Sequence, residues 1–193
     1  MKNRKLLLLA VGTVIAASLV LTGCFGSGSD TSTNAADEFG SLSSFTAKTL
    51  EGEKFTQDDI AKKDITVMNF WGVNCSLCIK EFPELGEFSN SLPDNVQVVT
   101  VCIDADEVGD VTTAKQYARG SKFYGPTLGS WDGDLKEVVD RIQYTPTTLI
   151  VNSDGELIGD AIIGTQDDLT GTLLDAVNSA LKSEGKSEIS LKE

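Results

Sequence analysis

Two cysteines separated by two residues, in Trp71-Gly72-Val73-Asn74-Cys75-Ser76-Leu77-Cys78, are the most reactive grouping in the chain. A thiol attacks only as its thiolate, so the first question is what could ionise one of them. The pair follows a strand-like run, residues 65–71, and leads into a helical run, residues 78–90, with Phe82, Leu85 and Phe88 at helical spacing. A sulfur at a helix N-terminus faces unpaired N–H groups and the positive end of the helix dipole, and both favour the thiolate. Cys75 is therefore the attacking thiol, and Cys78, one turn on, is placed to break the mixed disulfide that Cys75 forms with a substrate. Zinc also uses this spacing but requires two further ligands. The chain has no histidine and no second such pair, and its remaining cysteines are Cys24 and Cys102. No metal and no cofactor are expected, and a short structural disulfide is the plain alternative to exchange.

The lack of histidine also removes Ser–His and Cys–His nucleophile pairs and metal sites built on imidazole. Acidic residues outnumber basic ones 29 to 16 in 193 residues, a formal charge of -13, so nucleic acid is excluded as a partner. Cys102, in Val-Thr-Val-Cys-Ile, reads as a small buried core residue. Asp104, Asp106 and Glu107, and Asp132 with Asp134, lack the spacing of a calcium loop and read as solvated acid clusters.

The pair needs a scaffold, and the chain on either side supplies alternating signals. Residues 44–56 hold two short extended stretches around Glu51-Gly52, a hairpin, and residues 56–63 a short helical turn. The strand at 65–71, the helix at 78–90 with Pro83 as a kink, and the apolar strand at 96–104 make a βαβ unit whose parallel strands are buried on both faces. A helix at 110–119 follows, then a loop through Gly125-Pro126 that contains Trp131, a candidate partner-facing residue, and a helix at 134–141. Strands at 147–151 and 156–163 flank the turn Asn152-Ser153-Asp154-Gly155 as an antiparallel hairpin. A helix at 166–181, with Leu169, Leu173, Leu174, Val177 and Leu181 on one side, closes the domain.

The N-terminus is read separately. Lys2, Arg4 and Lys5 precede an apolar run at 6–21, and Leu21-Thr22-Gly23-Cys24 follows at once, the layout of a secretory leader with a small-residue processing site. Its ending resembles a bacterial lipobox, in which the cysteine is acylated and becomes the first residue. The expected organisation is a signal peptide at 1–23, a small-residue flexible linker at 24–41 from lipidated Cys24, a domain at 42–182, and a fraying polar tail at 183–193. A retained membrane-spanning anchor is the alternative; either reading places the domain outside the cytoplasm and tethered to a membrane.

Phe70-Trp71-Gly72, the cysteine pair, Lys80-Glu81-Phe82-Pro83 and Thr145-Pro146-Thr147-Thr148, in this order, resemble the membrane-tethered thiol-disulfide oxidoreductases of the TlpA/ResA type within the thioredoxin superfamily. The resemblance implies an α/β thioredoxin-like fold, a central mixed sheet flanked by helices on both faces, with an N-terminal β-hairpin extension. It implies a cis-proline loop beside the cysteines, and Pro146 matches that proline. After Thr145, Pro146 would set backbone groups against the disulfide, where an extended substrate could pair. Glu81 matches the family's active-site glutamate, implied to tune the cysteines and help move protons; a solvated helix acid is the alternative. Trp71 is implied to cover the pair and, with Thr145 and Pro146, to meet substrate; plain core is the alternative. Six residues before Cys75, where thioredoxin itself has a buried aspartate, stands Asn69.

The expected activity is reduction of disulfides in client proteins by a lipid-anchored, extracytoplasmic monomer with catalytic Cys75, Cys78 and Glu81. The resemblance implies apocytochrome c or a methionine sulfoxide reductase as client and a membrane thiol-disulfide electron donor. The alternatives are a thiol oxidase forming disulfides in exported proteins and a non-catalytic interaction protein of the same fold. A peroxide-reducing enzyme would require a peroxidatic cysteine with Thr and Arg partners. A copper-delivery domain would require a CxxxC pair and a histidine.

Overall fold

The computed structural model describes residues 34–105 and 111–192; the expected leader, Cys24, Asp106 and Glu107 lie outside them. Four of the seven residues at 65–71 are Ile, Val, Phe and Trp, and that run forms a strand buried along its whole length. In chain order the strands are β1 (Phe45–Thr49), β2 (Lys54–Thr56), β3 (Ile65–Trp71), β4 (Val96–Cys102), β5 (Thr127–Gly133), β6 (Thr147–Asn152) and β7 (Ile162–Ile163). They form one mixed sheet in the order β2-β1-β5-β4-β3-β6-β7. β3 and β4 are parallel and in register from Ile65 against Val96 to Trp71 against Cys102. β6 lies antiparallel on the other side of β3. The helices are α1 (Ala35–Phe39), α2 (Gln57–Ile60), α3 (Ser76–Ser91), α4 (Val111–Gly120), α5 (Asp134–Arg141) and α6 (Leu169–Ser183).

Period-two alternation along the strands divides the interior into two cores. Ile65, Val67 and Trp71 share one with Phe82, Leu85 and Phe88 of α3, Ala114 of α4 and Leu173, Val177 and Leu181 of α6. Met68 and Phe70 share the other with Phe39 of α1, Ile60 of α2 and Leu135 and Val138 of α5. Helices therefore cover both faces, as the thioredoxin fold requires. Phe82, Phe88 and Trp71 are essentially inaccessible to water, and burial of each such side chain contributes about 2 to 3 kcal/mol. Pro83, expected to kink the active-site helix in its first turns, stands in the middle of α3, which continues through it.

Several expectations are corrected. Residues 127–133, read as loop, form β5, so Trp131 is a strand residue registered against Ala47 of β1 rather than a loop residue free to face a partner. Two glycines and no alternation hide this strand in the sequence; pairing with β4 on one side and β1 on the other creates it. Through β5 the expected N-terminal hairpin becomes part of the main sheet. The strand expected at 156–163 contracts to a bridge at Leu157 and the two-residue β7. Between them the loop is engaged from the N-terminal side: Ala35 N donates to Gly159 O and Leu42 N to Gly155 O. Gly155 has φ +83, and a Cβ there would stand 2.5 Å from Leu42 O, so only glycine accommodates this crossing.

That crossing segment is the end of the expected linker. Residues 34–41 belong to the fold, with Asn34 capping α1 and Ala35 and Phe39 buried. The expected fraying tail also docks. The Asn178 side chain accepts from Ile189 N (2.8 Å) and donates to Ile189 O (3.2 Å), and Lys192 N donates to Ser91 O (2.7 Å). Lys186 pairs with Asp64 at 2.6 Å. Ile189 and Leu191, alternating among polar residues, pack against the α3/α6 core. Asp134 is likewise not merely solvated, since its carboxylate accepts from Ser44 N at 2.7 Å and ties α5 to the start of β1.

Candidate active site

β3 ends at Trp71 and α3 starts at Ser76, so the intervening turn delivers Cys75 to the helix as its N-cap residue. Cys75 N donates to Gly72 O (3.1 Å), which closes the turn. Cys75 O then accepts from Ile79 N (3.1 Å), the first helical bond. Cys75 Sγ itself takes the capping role, accepting from Cys78 N at 3.1 Å. A thiolate placed there meets a backbone donor and the positive helix end together. The two cysteines are joined as a disulfide. Cys75 is half-buried and Cys78 is 2% exposed. An incoming sulfur can therefore reach Cys75 and not Cys78.

The loop before β6 meets the pair from the opposite side. The Thr145-Pro146 peptide is cis, as expected from the motif. Thr145 O lies 3.5 Å from Cys75 Sγ. The bonded sulfur carries no hydrogen, so this is a contact in the disulfide; the reduced thiol could donate to that carbonyl. Pro146 is buried and its carbonyl accepts from Gly164 N (2.8 Å), which ties the loop to β7. Leu77, between the two cysteines, and Tyr144, next to Thr145 in the chain, are 52% and 66% exposed.

Trp71 is placed differently from the substrate-meeting role that the resemblance implied. Its side chain is wholly buried, with its ring 4.6 Å from that of Phe82, in the same core as Cys78. It supports the pair from within and offers no surface to a client. Its Nε1 is a buried donor without a protein partner among the described residues.

Glu81 sits on α3 one turn after Cys78, on the same face and half-buried. Its Oε1 accepts from Gln166 N at 2.7 Å. Burial pushes its carboxyl above the usual range and the charge of Glu84 adds to this, while the Gln166 bond works the other way. It is thus more than a solvated acid: it binds the segment leading into α6, as Glu84 does through Thr170 N at 2.9 Å. Asn69 is buried in β3 and donates to Thr148 Oγ1 at 2.9 Å, a neutral pairing where a carboxylate would find little solvation. Cys102 is buried, and its thiol is pushed up to about 12 by burial and by the charge of Asp104.

Asp104 was not singled out as a site residue. It stands just beyond β4 and accepts from Val73 N (2.9 Å), Asn74 N (3.4 Å), Asn74 Nδ2 (3.5 Å) and the Cys102 thiol (3.4 Å). It therefore holds the turn that leads to Cys75 and is no solvated face. One signal could have found it: it lies at the carboxyl end of a strand parallel to and beside the one preceding the cysteines, the edge where sites of open α/β sheets gather.

The chain matches the AhpC/TSA family over residues 40–159. It is 29% identical over 114 residues to sporulation thiol-disulfide oxidoreductase A of Bacillus subtilis (strain 168), a match covering 58% of this chain and 67% of that one. It is 25% identical over 115 residues to thiol-disulfide oxidoreductase ResA of the same organism, covering 59% of this chain and 61% of that one. Among solved structures, the thioredoxin domain of a thiol-disulfide oxidoreductase from Bacteroides vulgatus superposes with a TM-score of 0.56 at 26% identity, covering 72% of this chain and 98% of that one.

Proposed function

The chain belongs to the AhpC/TSA family and is a thiol-disulfide oxidoreductase of the thioredoxin fold, and we propose that it works as a reductase of disulfides in exported client proteins. The observation that carries this reading is the asymmetric pair, with Cys75 capping α3 within reach of solvent and Cys78 buried behind it. In the dithiol form the Cys75 thiolate attacks one sulfur of a client disulfide. A mixed disulfide forms, and the client's other sulfur leaves as a thiolate that takes up a proton. Cys78 loses its proton and attacks Cys75 Sγ, which closes the Cys75–Cys78 bond and frees the second client thiol. Two electrons pass to the client, and a membrane thiol-disulfide donor restores the dithiol. Glu81 is the group proposed to take the Cys78 proton and to hold the couple reducing, since a nearby carboxylate disfavours a thiolate.

The resemblance of the motifs to the TlpA/ResA type favours apocytochrome c or a methionine sulfoxide reductase as client. Thr145 and Pro146 supply the backbone edge on which an extended client segment would pair, with Leu77 and Tyr144 beside it. The leader and the Leu21-Thr22-Gly23-Cys24 sequence support tethering through a lipidated Cys24 on the outer side of the cell membrane. Among the described residues no helix is long and apolar enough to cross a membrane.

The equilibrium potential of the Cys75–Cys78 couple in the full chain, titrated with glutathione, tests the direction. A value at or below about -230 mV supports a reductase, whereas one near about -120 mV would replace it with a disulfide-forming oxidant.

A further inference from the structure

The turn between β3 and α3 has to place Cys75 at the helix entrance, and a single side chain from the neighbouring strand grips it. Trp71 and Cys102 are register partners, and Ile103 N extends the pairing by donating to Trp71 O at 2.8 Å. Asp104 follows directly. Its Oδ1 accepts from Val73 N (2.9 Å) and the Cys102 thiol (3.4 Å), and its Oδ2 from Asn74 N (3.4 Å) and Asn74 Nδ2 (3.5 Å). All four partners are donors, the setting of an ionised carboxylate. No Lys or Arg pairs with Asp104 among the described residues, so its charge is not neutralised by an ion pair. The approach is also close: a Cβ on Gly72 would stand 2.9 Å from Oδ2, so the turn carries glycine where the carboxylate lies against its backbone.

We propose that Asp104 is a positioning residue for the exchange. It clamps the 72–74 turn so that Cys75 caps α3, and it fixes a negative charge at that entrance which makes the Cys75–Cys78 couple more reducing. The inference rests on the exchange activity proposed above. The clamp acts through the turn, because the Gly72 carbonyl that receives Cys75 N belongs to the backbone against which Asp104 is seated. The charge acts on the reduced form alone: only the dithiol state can carry a thiolate at Cys75, and a neighbouring negative charge destabilises that state relative to the disulfide. The other ionisable groups on the elements meeting at the pair are Lys80, Glu81, Glu84 and Glu87 on α3, Cys102 on β4, and Tyr144 beside Thr145. Glu81 is turned to Gln166 and Cys102 to Asp104 itself.

The test is the glutathione equilibrium constant of the full chain, of Asp104→Asn and of Asn74→Ala. The asparagine keeps an oxygen for Val73 N but removes the charge. Its constant should shift three- to tenfold towards the dithiol, tenfold being about 30 mV. Asn74→Ala removes one bond and leaves the charge, and its constant should stay within about twofold of the parent. A D104N constant equal to the parent's would overturn the charge role. Should D104N not fold, hydrogen exchange of the oxidised parent decides the clamp: Val73 N–H should be strongly protected, and free exchange there would overturn it. A parent that does not equilibrate with glutathione defeats the exchange reading, whereas a parent that does, with D104N unchanged, defeats only this inference.

Discussion

Each cysteine is told apart by what its sulfur touches. Cys75 Sγ accepts a helix N–H and is half-buried, whereas Cys102 is buried beside a carboxylate with its thiol at about 12. After reduction under native conditions, alkylation at pH 8 followed by peptide mapping should modify Cys75 rapidly and leave Cys102 untouched until the chain is unfolded. Comparable rates at the two would show that Cys102 is not sealed. Glu81 carries two consequences. Burial raises its folded pKa above the unfolded value, so its stabilising contribution is present below the unfolded pKa of about 4.3 and is lost as pH rises through the folded value. Above the folded value, where the carboxyl is ionised, its burial destabilises the fold. Glu81→Gln keeps an oxygen for Gln166 N and should raise the midpoint of thermal unfolding at pH 7, with the gain shrinking as pH falls through the acid range. The same variant should render the couple more oxidising by tens of millivolts (about 30 mV is 1.4 kcal/mol here). Superimposable melting and redox curves would reduce Glu81 to a loop anchor.

At the scale of elements, α3 and α6 are coupled by side chains that reach from one to the approach of the other. Glu81 and Glu84 accept from Gln166 N and Thr170 N. The segment after α6 returns along the same helices through the Asn178–Ile189 pair and Lys192 N to Ser91 O. Asn178→Ala leaves both Ile189 backbone groups without that partner and should lower unfolding free energy by about 1 to 3 kcal/mol in a denaturant titration. Hydrogen exchange at Ile189 should accelerate as well. An unchanged midpoint would mean that Ile189 and Leu191 hold the tail by packing alone. The corrected strand β5 has a similar lesson, because seven residues with two glycines become a strand only when β1 and β4 both present an edge to them.

At the scale of the whole molecule, Lys2, Arg4 and Lys5 and the apolar run at 6–21 precede an acid-rich sequence, the pattern read above as a leader. Intact mass of the chain recovered from a bacterial membrane should show loss of residues 1–23 and the addition of acyl groups at Cys24. Retention of Met1 or Lys2 would defeat the lipid tether and leave the leader as an anchor or an uncleaved segment.

Much of the site was legible in the sequence because it depends on short-range pattern. A buried strand, two cysteines at the start of a helix and a Thr-Pro step are recorded within a few residues each, and β3, α3 and the cis Thr145-Pro146 loop appear where those patterns stand. The apolar runs at 65–71 and 96–104 likewise indicated parallel strands buried on both faces. Only the tertiary structure decided what depends on residues far apart in the chain. It put Trp71 under the pair instead of over it, made residues 34–41 and 186–192 part of the fold, and set Asp104 against a turn some thirty positions earlier. A carboxylate beyond a strand reads the same whether it meets water or four donors, because its partners are brought to it by the parallel register of β3 and β4, which no local periodicity encodes.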